Sequence, residues 1–163
     1  MCEIREKIRI GMAEMIVVKN PAVIITTVGS CVALCMYDLE KKIGGMAHIV
    51  LPKKEDVDED SDSVPKYADT AVPALLFRLI SKGAKRENIK AKIAGGANMF
   101  PNLENPILKI GEKNVKAVKE KLIEMGIPLI AEDIGGNHGR VVEFEVRTGM
   151  VKVNNIYGRK RIL

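Results

Sequence analysis

The sequence has few of the residue types that mark several common protein classes. It has no Trp and no Gln, and its 163 residues include three Cys, two His and 4% aromatic residues. A chain of this length buries enough surface to fold without cross-links, so an odd count of three cysteines argues against a disulfide scaffold. No apolar run approaches the roughly 18 residues of a membrane helix, and residues 1–10 mix both charges, unlike a secretory signal. We therefore expect a cytoplasmic protein without membrane insertion.

The positive charge is confined to one end of the chain. The net charge is +5, and the five basic residues that follow position 146, with no acidic residue among them, account for all of it. The triplet Arg159, Lys160 and Arg161 could contact RNA, DNA or an acidic partner. Three consecutive basic residues are a weak nucleic-acid signal, so we predict a solvated basic tail at about 158–163 and no nucleic-acid partner.

The hydrophobic pattern predicts one α+β domain over residues 1–163. Two amphipathic helices are expected, one from Pro65 to a stop at Gly83 and one over residues 112–125. Six acids within residues 55–62 indicate a loop. Strands are predicted at 8–18, 22–28, 31–38, 43–52, 89–94, 127–133, 140–149 and 150–157. Short turns join most of these strands, which favours a mostly antiparallel sheet with both helices on one face.

One cysteine lies where a nucleophile could act. Cys31 follows the flexible pair Gly29-Ser30, whose neighbouring backbone N–H groups could stabilise an oxyanion. His48 lies 17 residues later in the returning strand of a predicted hairpin, so it can approach Cys31 and act as its base. Thr26 or Thr27 could orient the imidazole through a hydroxyl or a backbone carbonyl.

Two other interpretations fit the same residues. Cys31 could be a small buried hydrophobe and His48 a hydrogen-bonded core residue, since free cysteines are often simply buried. Alternatively, Cys31, Cys35, His48 and His138 could supply four zinc ligands. The zinc signal is weak because Cys31 and Cys35 are spaced along a strand and the two histidines occur singly.

Several stretches together resemble the chemoreceptor glutamine deamidase family, CheD. The first are GSCVALCMYD at residues 29–38 and GGMAHIVLP at residues 44–52. The resemblance continues through KYADTA (66–71), AKIAGGANMF (91–100), IGEKNV (110–115) and AEDIGGNHGR (131–140). It covers the chain from about residue 19 to about residue 149.

The resemblance implies an α/β/β layered fold and a Cys-His-Thr site that converts selected receptor glutamines to glutamate. Cys31 matches the family nucleophile and His48 the family base. Counted from Asn20-Pro21, the threonine falls on Thr26, with Thr27 next to it. No metal or organic cofactor is implied. The partners implied are chemotaxis receptors as protein substrates and a CheC-type phosphatase, with a monomer when unbound.

Two other functions stand beside this one. The chain could be mainly a non-catalytic regulatory module that binds and stimulates CheC, with Cys31 covered by the partner. It could also be a general cysteine amidase or peptidase. Rapid, pH-dependent alkylation of Cys31 alone would indicate an activated nucleophile.

Overall fold

A computed structural model describes residues 6–19, 21–54, 63–100 and 109–163 of the chain, so the predicted acidic loop at 55–62 lies outside it. Within these ranges the chain forms two α-helices and ten strands. The helices are α1 (Ala68–Lys82) and α2 (Ile110–Glu124). The strands are β1 (Glu6–Arg9), β2 (Met15–Lys19), β3 (Ala22–Val28), β4 (Val32–Asp38), β5 (Ile43–Ile49), β6 (Lys90–Gly95), β7 (Leu129–Ile134), β8 (Arg140–Glu145), β9 (Val151–Asn155) and β10 (Lys160–Ile162).

The strands form two five-stranded sheets stacked beneath the helices. One sheet has the order β1-β3-β8-β9-β10 and the other the order β2-β5-β4-β6-β7. The pairs β1–β3 and β6–β7 are parallel, and the remaining pairs of named strands are antiparallel. Both helices pack on one face of the β4 sheet, and the β3 sheet covers its other face. The predicted α+β class and the α/β/β layering are confirmed.

The central hairpin of β4 and β5 is buried on both faces, which determines the environment of the candidate site. Val32 and Leu34 pack toward the helices, whereas Ala33 and Cys35 pack toward the β3 sheet. Every residue of both strands is buried. Because successive side chains in a strand point to opposite faces, each polar residue in this hairpin lies in one of the two apolar layers.

The predicted strand over residues 8–18 is wrong, because this segment forms two strands in different sheets. β1 pairs with β3, whereas β2 pairs with β5. The chain turns between them, where Ala13 has a φ of 59° and the Gly11 N–H donates to Glu14 Oε1 at 2.7 Å. The strands on either side of this turn belong to separate sheets, and the continuous apolar pattern of the segment concealed the break.

The segment expected to be a solvated tail forms the edge strand β10. It pairs with β9, and Leu163 exchanges backbone hydrogen bonds with Val151 at 2.8 and 3.1 Å. A strand needs only free backbone groups on its neighbour, so the charged side chains of Lys160 and Arg161 do not prevent pairing. Charged residues are common in edge strands because they hinder pairing with other chains.

Both helices lie close to their predicted positions. A short 3-10 turn at Val64–Lys66 precedes α1, so the α-helix begins three residues after Pro65. Gly83 caps its C-terminus in a left-handed conformation with φ 119°, as expected of a glycine stop. Among the residues described, neither helix is long and apolar enough to cross a membrane.

Candidate active site

Cys31 and His48 lie on the same face of the central hairpin. His48 is paired with Ala33 in the β4–β5 ladder, and Cys31 precedes Ala33 by two residues. Cys31 and His48 are therefore diagonal cross-strand neighbours, a relation that brings side chains within reach of each other. Cys31 is 8% exposed and His48 is 2% exposed. The hairpin predicted from the sequence is confirmed, and both side chains face the layer between the two sheets.

Thr26 reaches His48 from the facing sheet. Its Oγ1 lies 2.7 Å from His48 Nδ1 and 2.9 Å from the backbone carbonyl oxygen of Ile10. The carbonyl can only accept, so the threonine hydroxyl donates its single proton there and accepts a hydrogen bond from Nδ1–H. Thr27 points to the opposite face of β3 and is exposed. Of the two threonines considered from the sequence, the one that contacts the imidazole is Thr26.

This hydrogen-bond pattern leaves the second imidazole nitrogen available. With the proton on Nδ1, neutral His48 carries a lone pair on Nε2. Nε2 is buried and has no hydrogen-bond partner in the described parts of the chain. An unpaired buried nitrogen costs free energy, so such a group in a folded protein calls for an explanation. Acceptance of a proton during a reaction is one explanation, and the thiol of Cys31 lies on the same face.

Burial disfavours the charged forms of both groups. It raises the pKa of the Cys31 thiol. It also lowers the pKa of His48, an effect that the negative charge of Glu14 partly opposes. Both shifts follow from the cost of placing a charge in a poorly solvated layer. Both shifts therefore favour a neutral thiol and a neutral imidazole in the resting site.

The loop that carries Cys31 is fixed by a neighbouring glycine pair. Gly96 N–H donates to the carbonyl oxygen of Cys31 at 2.8 Å, and Ala97 N–H donates to that of Gly29 at 3.0 Å. Gly95 has a φ of 125°, and a Cβ atom there would overlap the Cys31 carbonyl oxygen. Glycine is therefore required at this position to let the two backbones approach.

Asn114 is a site residue that the sequence pattern did not single out. It lies on the buried face of α2, and its Nδ2 donates to the carbonyl oxygens of Ser30 and Val50 at 3.0 and 2.9 Å. The sequence nevertheless contains a signal that could have identified Asn114. Asn114 precedes Val118 by four residues and so shares its apolar face, where a polar residue is unusual.

The four residues considered as zinc ligands do not come together as one group in the part of the chain that the structure describes. Cys35 is fully buried within β4, four residues after Cys31 and therefore further along the strand from the loop that carries Cys31. His138 lies in the loop before β8, where its ring packs edge-on against Tyr157 at 4.6 Å between centroids. Across the described ranges, no group of three or more His, Cys, Asp or Glu side chains could hold a metal ion.

Comparison with known proteins identifies relatives of this chain. A family model described as CheD chemotactic sensory transduction matches residues 50–155. A protein of Thermotoga maritima named chemoreceptor glutamine deamidase CheD is 48% identical over 154 residues, which are 94% of each chain. A protein of the same name from Halalkalibacterium halodurans is 45% identical over 158 residues, 95% of this chain and 98% of the relative. Both alignments extend over nearly the full length of the chains.

Proposed function

The chain belongs to the CheD family, and on this premise we propose that it hydrolyses glutamine side-chain amides of chemotaxis receptors to glutamate. Cys31 is the proposed nucleophile, His48 the base and Thr26 the residue that orients the base. The observation that carries this assignment is the Thr26–His48 hydrogen bond, because it leaves Nε2 free on the face that also holds the Cys31 thiol.

The first half of the proposed reaction forms a thioester. Nε2 of His48 takes the thiol proton of Cys31 as the sulfur bonds to the carboxamide carbon, and the carbonyl π electrons move to oxygen. Backbone N–H groups near Cys31 stabilise this oxyanion. The carbonyl then re-forms as the C–N bond breaks. The imidazolium of His48 donates its Nε2 proton to the departing nitrogen, because an amide ion is too basic to leave unaided.

The second half releases the product. Nε2 of His48, again neutral, takes a proton from a water molecule that attacks the thioester carbon. The C–S bond then breaks, and the thiolate of Cys31 recovers its proton from the imidazolium. The sum is amide plus water giving carboxylic acid plus ammonia. Nδ1–H of His48 stays bonded to Thr26 throughout, so side chains of this chain perform every proton transfer and the proposal includes no cofactor.

Exposed apolar side chains beside the nucleophile suit a protein substrate. Met99 is 43% exposed and Phe100 is 56% exposed. The Met99 sulfur lies 3.3 Å from the point where a Cβ atom of Gly29 would stand, so it borders the loop that ends at Cys31. Apolar residues next to a reactive group can bind the surface that surrounds a target side chain. A receptor would bury these residues, whereas free glutamine would leave them exposed.

We further propose that the chain acts in the cytoplasm, is a monomer when unbound and binds a CheC-type phosphatase. This partner is implied by the family resemblance. A mainly non-catalytic module that stimulates CheC is the alternative. The slight exposure of Cys31 and the place of Met99 beside Gly29, in the same loop, support an effect of the partner on the active site, since a protein docked there would cover the thiol. Added CheC should then slow Cys31 alkylation.

The proposal is tested by ammonia release from a purified receptor fragment that contains the target glutamines. We expect release with the natural protein and with Cys35→Ala, and none with Cys31→Ala, because Cys35 is buried away from the loop. A natural protein that binds CheC and releases no ammonia would favour the regulatory module. Release by Cys31→Ala would show that the nucleophile lies elsewhere.

A further inference from the structure

We propose that Asn114 is a positioning residue that sets the distance between the nucleophile and the base. The inference rests on the proposed function, because it assigns those roles to Cys31 and His48. The Asn114 side chain makes no hydrogen bond to either residue. It binds the carbonyl oxygen of Ser30, immediately before the nucleophile, and that of Val50, two residues after the base.

The two carbonyls belong to strands that stop pairing at this point. The β4–β5 ladder ends at the pair Val32 and Ile49, so Cys31 and Val50 would form the next pair. The chain after β5 leaves the ladder, because the Val50 N–H donates instead to the carbonyl oxygen of Lys66 at 2.9 Å. Beyond the last pair, no ladder hydrogen bond joins these two strands to each other. One amide from α2 bridges the two strands at this end.

The burial of Asn114 indicates that its two donors have a specific role. Its side chain is fully buried, and both of its contacts are carbonyl oxygens, which fixes the orientation of the amide. Its Oδ1 is buried and has no partner in the ranges that the structure describes. An apolar side chain would fill this place on α2 without an unpaired oxygen. The two N–H groups therefore offset the cost of that oxygen, and both act on the strands that carry the active site.

Loss of this bridge should weaken proton transfer between Cys31 and His48. A displacement of about 1 Å between reacting groups can lower a rate on the order of 100-fold. When His48 no longer meets the thiol, solvent must remove the thiol proton. The rate then depends on the fraction of Cys31 that ionises by itself, which is small at neutral pH because burial raises the pKa of this thiol. The bridge therefore determines both the size of kcat and its dependence on pH.

The test compares Asn114→Ala with Val118→Ala in the full chain. Val118 lies one turn later on the same face of α2, is fully buried, and is truncated to the same residue. It makes no hydrogen bond to the nucleophile loop, so it controls for lost packing. Asn114→Ser leaves one hydroxyl donor and serves as a second variant in case the alanine variant does not fold. Thermal unfolding, kcat, KM and the pH profile of kcat are measured for each.

We expect the natural protein and Val118→Ala to reach a plateau in kcat above the pKa of His48. Asn114→Ala and Asn114→Ser should lose on the order of 10- to 100-fold in kcat at pH 7 with KM nearly unchanged, and their rates should continue to rise toward alkaline pH. Folded Asn114 variants that keep the plateau and match Val118→Ala in kcat would overturn the inference. No ammonia release by the natural protein would instead overturn the proposed function, so the two failures are distinct.

Discussion

Thr26 Oγ1 and His48 Nδ1 lie 2.7 Å apart across the interface between the two sheets. Because the same hydroxyl donates to the carbonyl oxygen of Ile10, it accepts from Nδ1 and fixes the proton on that nitrogen. This one hydrogen bond therefore orients the imidazole ring and also determines which of its two nitrogens carries the proton. It also explains how one threonine could fill the place that a carboxylate or amide occupies in other nucleophile–histidine sites.

Removal of the Thr26 hydroxyl should reduce the rate without disrupting the fold. Thr26→Val keeps the side-chain shape but loses the acceptor, so we expect kcat to fall on the order of 10- to 100-fold. Thr26→Ser keeps the hydroxyl and should retain most activity. Thr27→Val is the matched control, because Thr27 is exposed on the other face of the same strand. Equal losses in Thr26→Val and Thr27→Val, measured by ammonia release, would refute the role of Thr26.

The acid limb of the activity profile should report His48. Burial lowers the pKa of His48 below its ordinary value of 6.5, so the base remains neutral until the pH falls below that value. We therefore predict an activity midpoint below 6.5 on the acid side. An acid-side midpoint at or above 6.5, in kcat/KM against pH, would contradict the lowered pKa of His48.

The same lowered pKa makes stability depend on pH. Between the unfolded and folded values of the pKa of His48, the unfolded chain binds a proton that the folded chain does not. The free energy of unfolding should therefore decrease as the pH falls below about 6.5. Urea unfolding at pH 7.5 and 5.5 should show a larger loss in the natural protein than in His48→Asn, which has no imidazole. Equal losses in the two proteins would contradict the buried, neutral state of this residue.

The sequence predicted the local elements of the site better than the long-range contacts that join them. The alternation along β4 and β5 implied a hairpin, and a hairpin is a local structure, so the approach of His48 to Cys31 could be expected. The contact of Thr26 with His48 joins two sheets, and no local pattern determines which of two adjacent threonines faces inward. The break after Ile10 and the bridge from Asn114 are also long-range features, which become visible only once the layers are stacked.

Cys35 should contribute packing and no chemistry. It is fully buried in β4, and burial strongly raises the pKa of its thiol. Cys35→Ala should lower the free energy of unfolding by about 1 to 3 kcal/mol and leave kcat within about twofold. Of these two cysteines, alkylation of the natural protein should modify Cys31 before Cys35, which should react only on unfolding. Modification of folded Cys35 at the rate of Cys31, seen by peptide mass spectrometry, would contradict this assignment.

The approach of Gly95 to the nucleophile loop gives a separate prediction. Gly95→Ala places a Cβ atom in overlap with the Cys31 carbonyl oxygen, so the loop must move. Gly126→Ala is the control, because Gly126 also has a positive φ but no described atom lies within 4 Å of the point where its Cβ would stand. We expect Gly126→Ala to lose about 1 to 2 kcal/mol of unfolding free energy and to keep its kcat. Gly95→Ala should lose more than this in urea unfolding, and its kcat should fall as well.

The most direct test of the central claim is the intact mass of a glutamine-containing receptor fragment after incubation with the full-length protein. Hydrolysis replaces –NH₂ by –OH, so each converted glutamine should add about 1 Da when the natural protein is present. With Cys31→Ala the mass should not change. A fragment whose mass is unchanged by the natural protein, or raised equally by Cys31→Ala, would contradict the account.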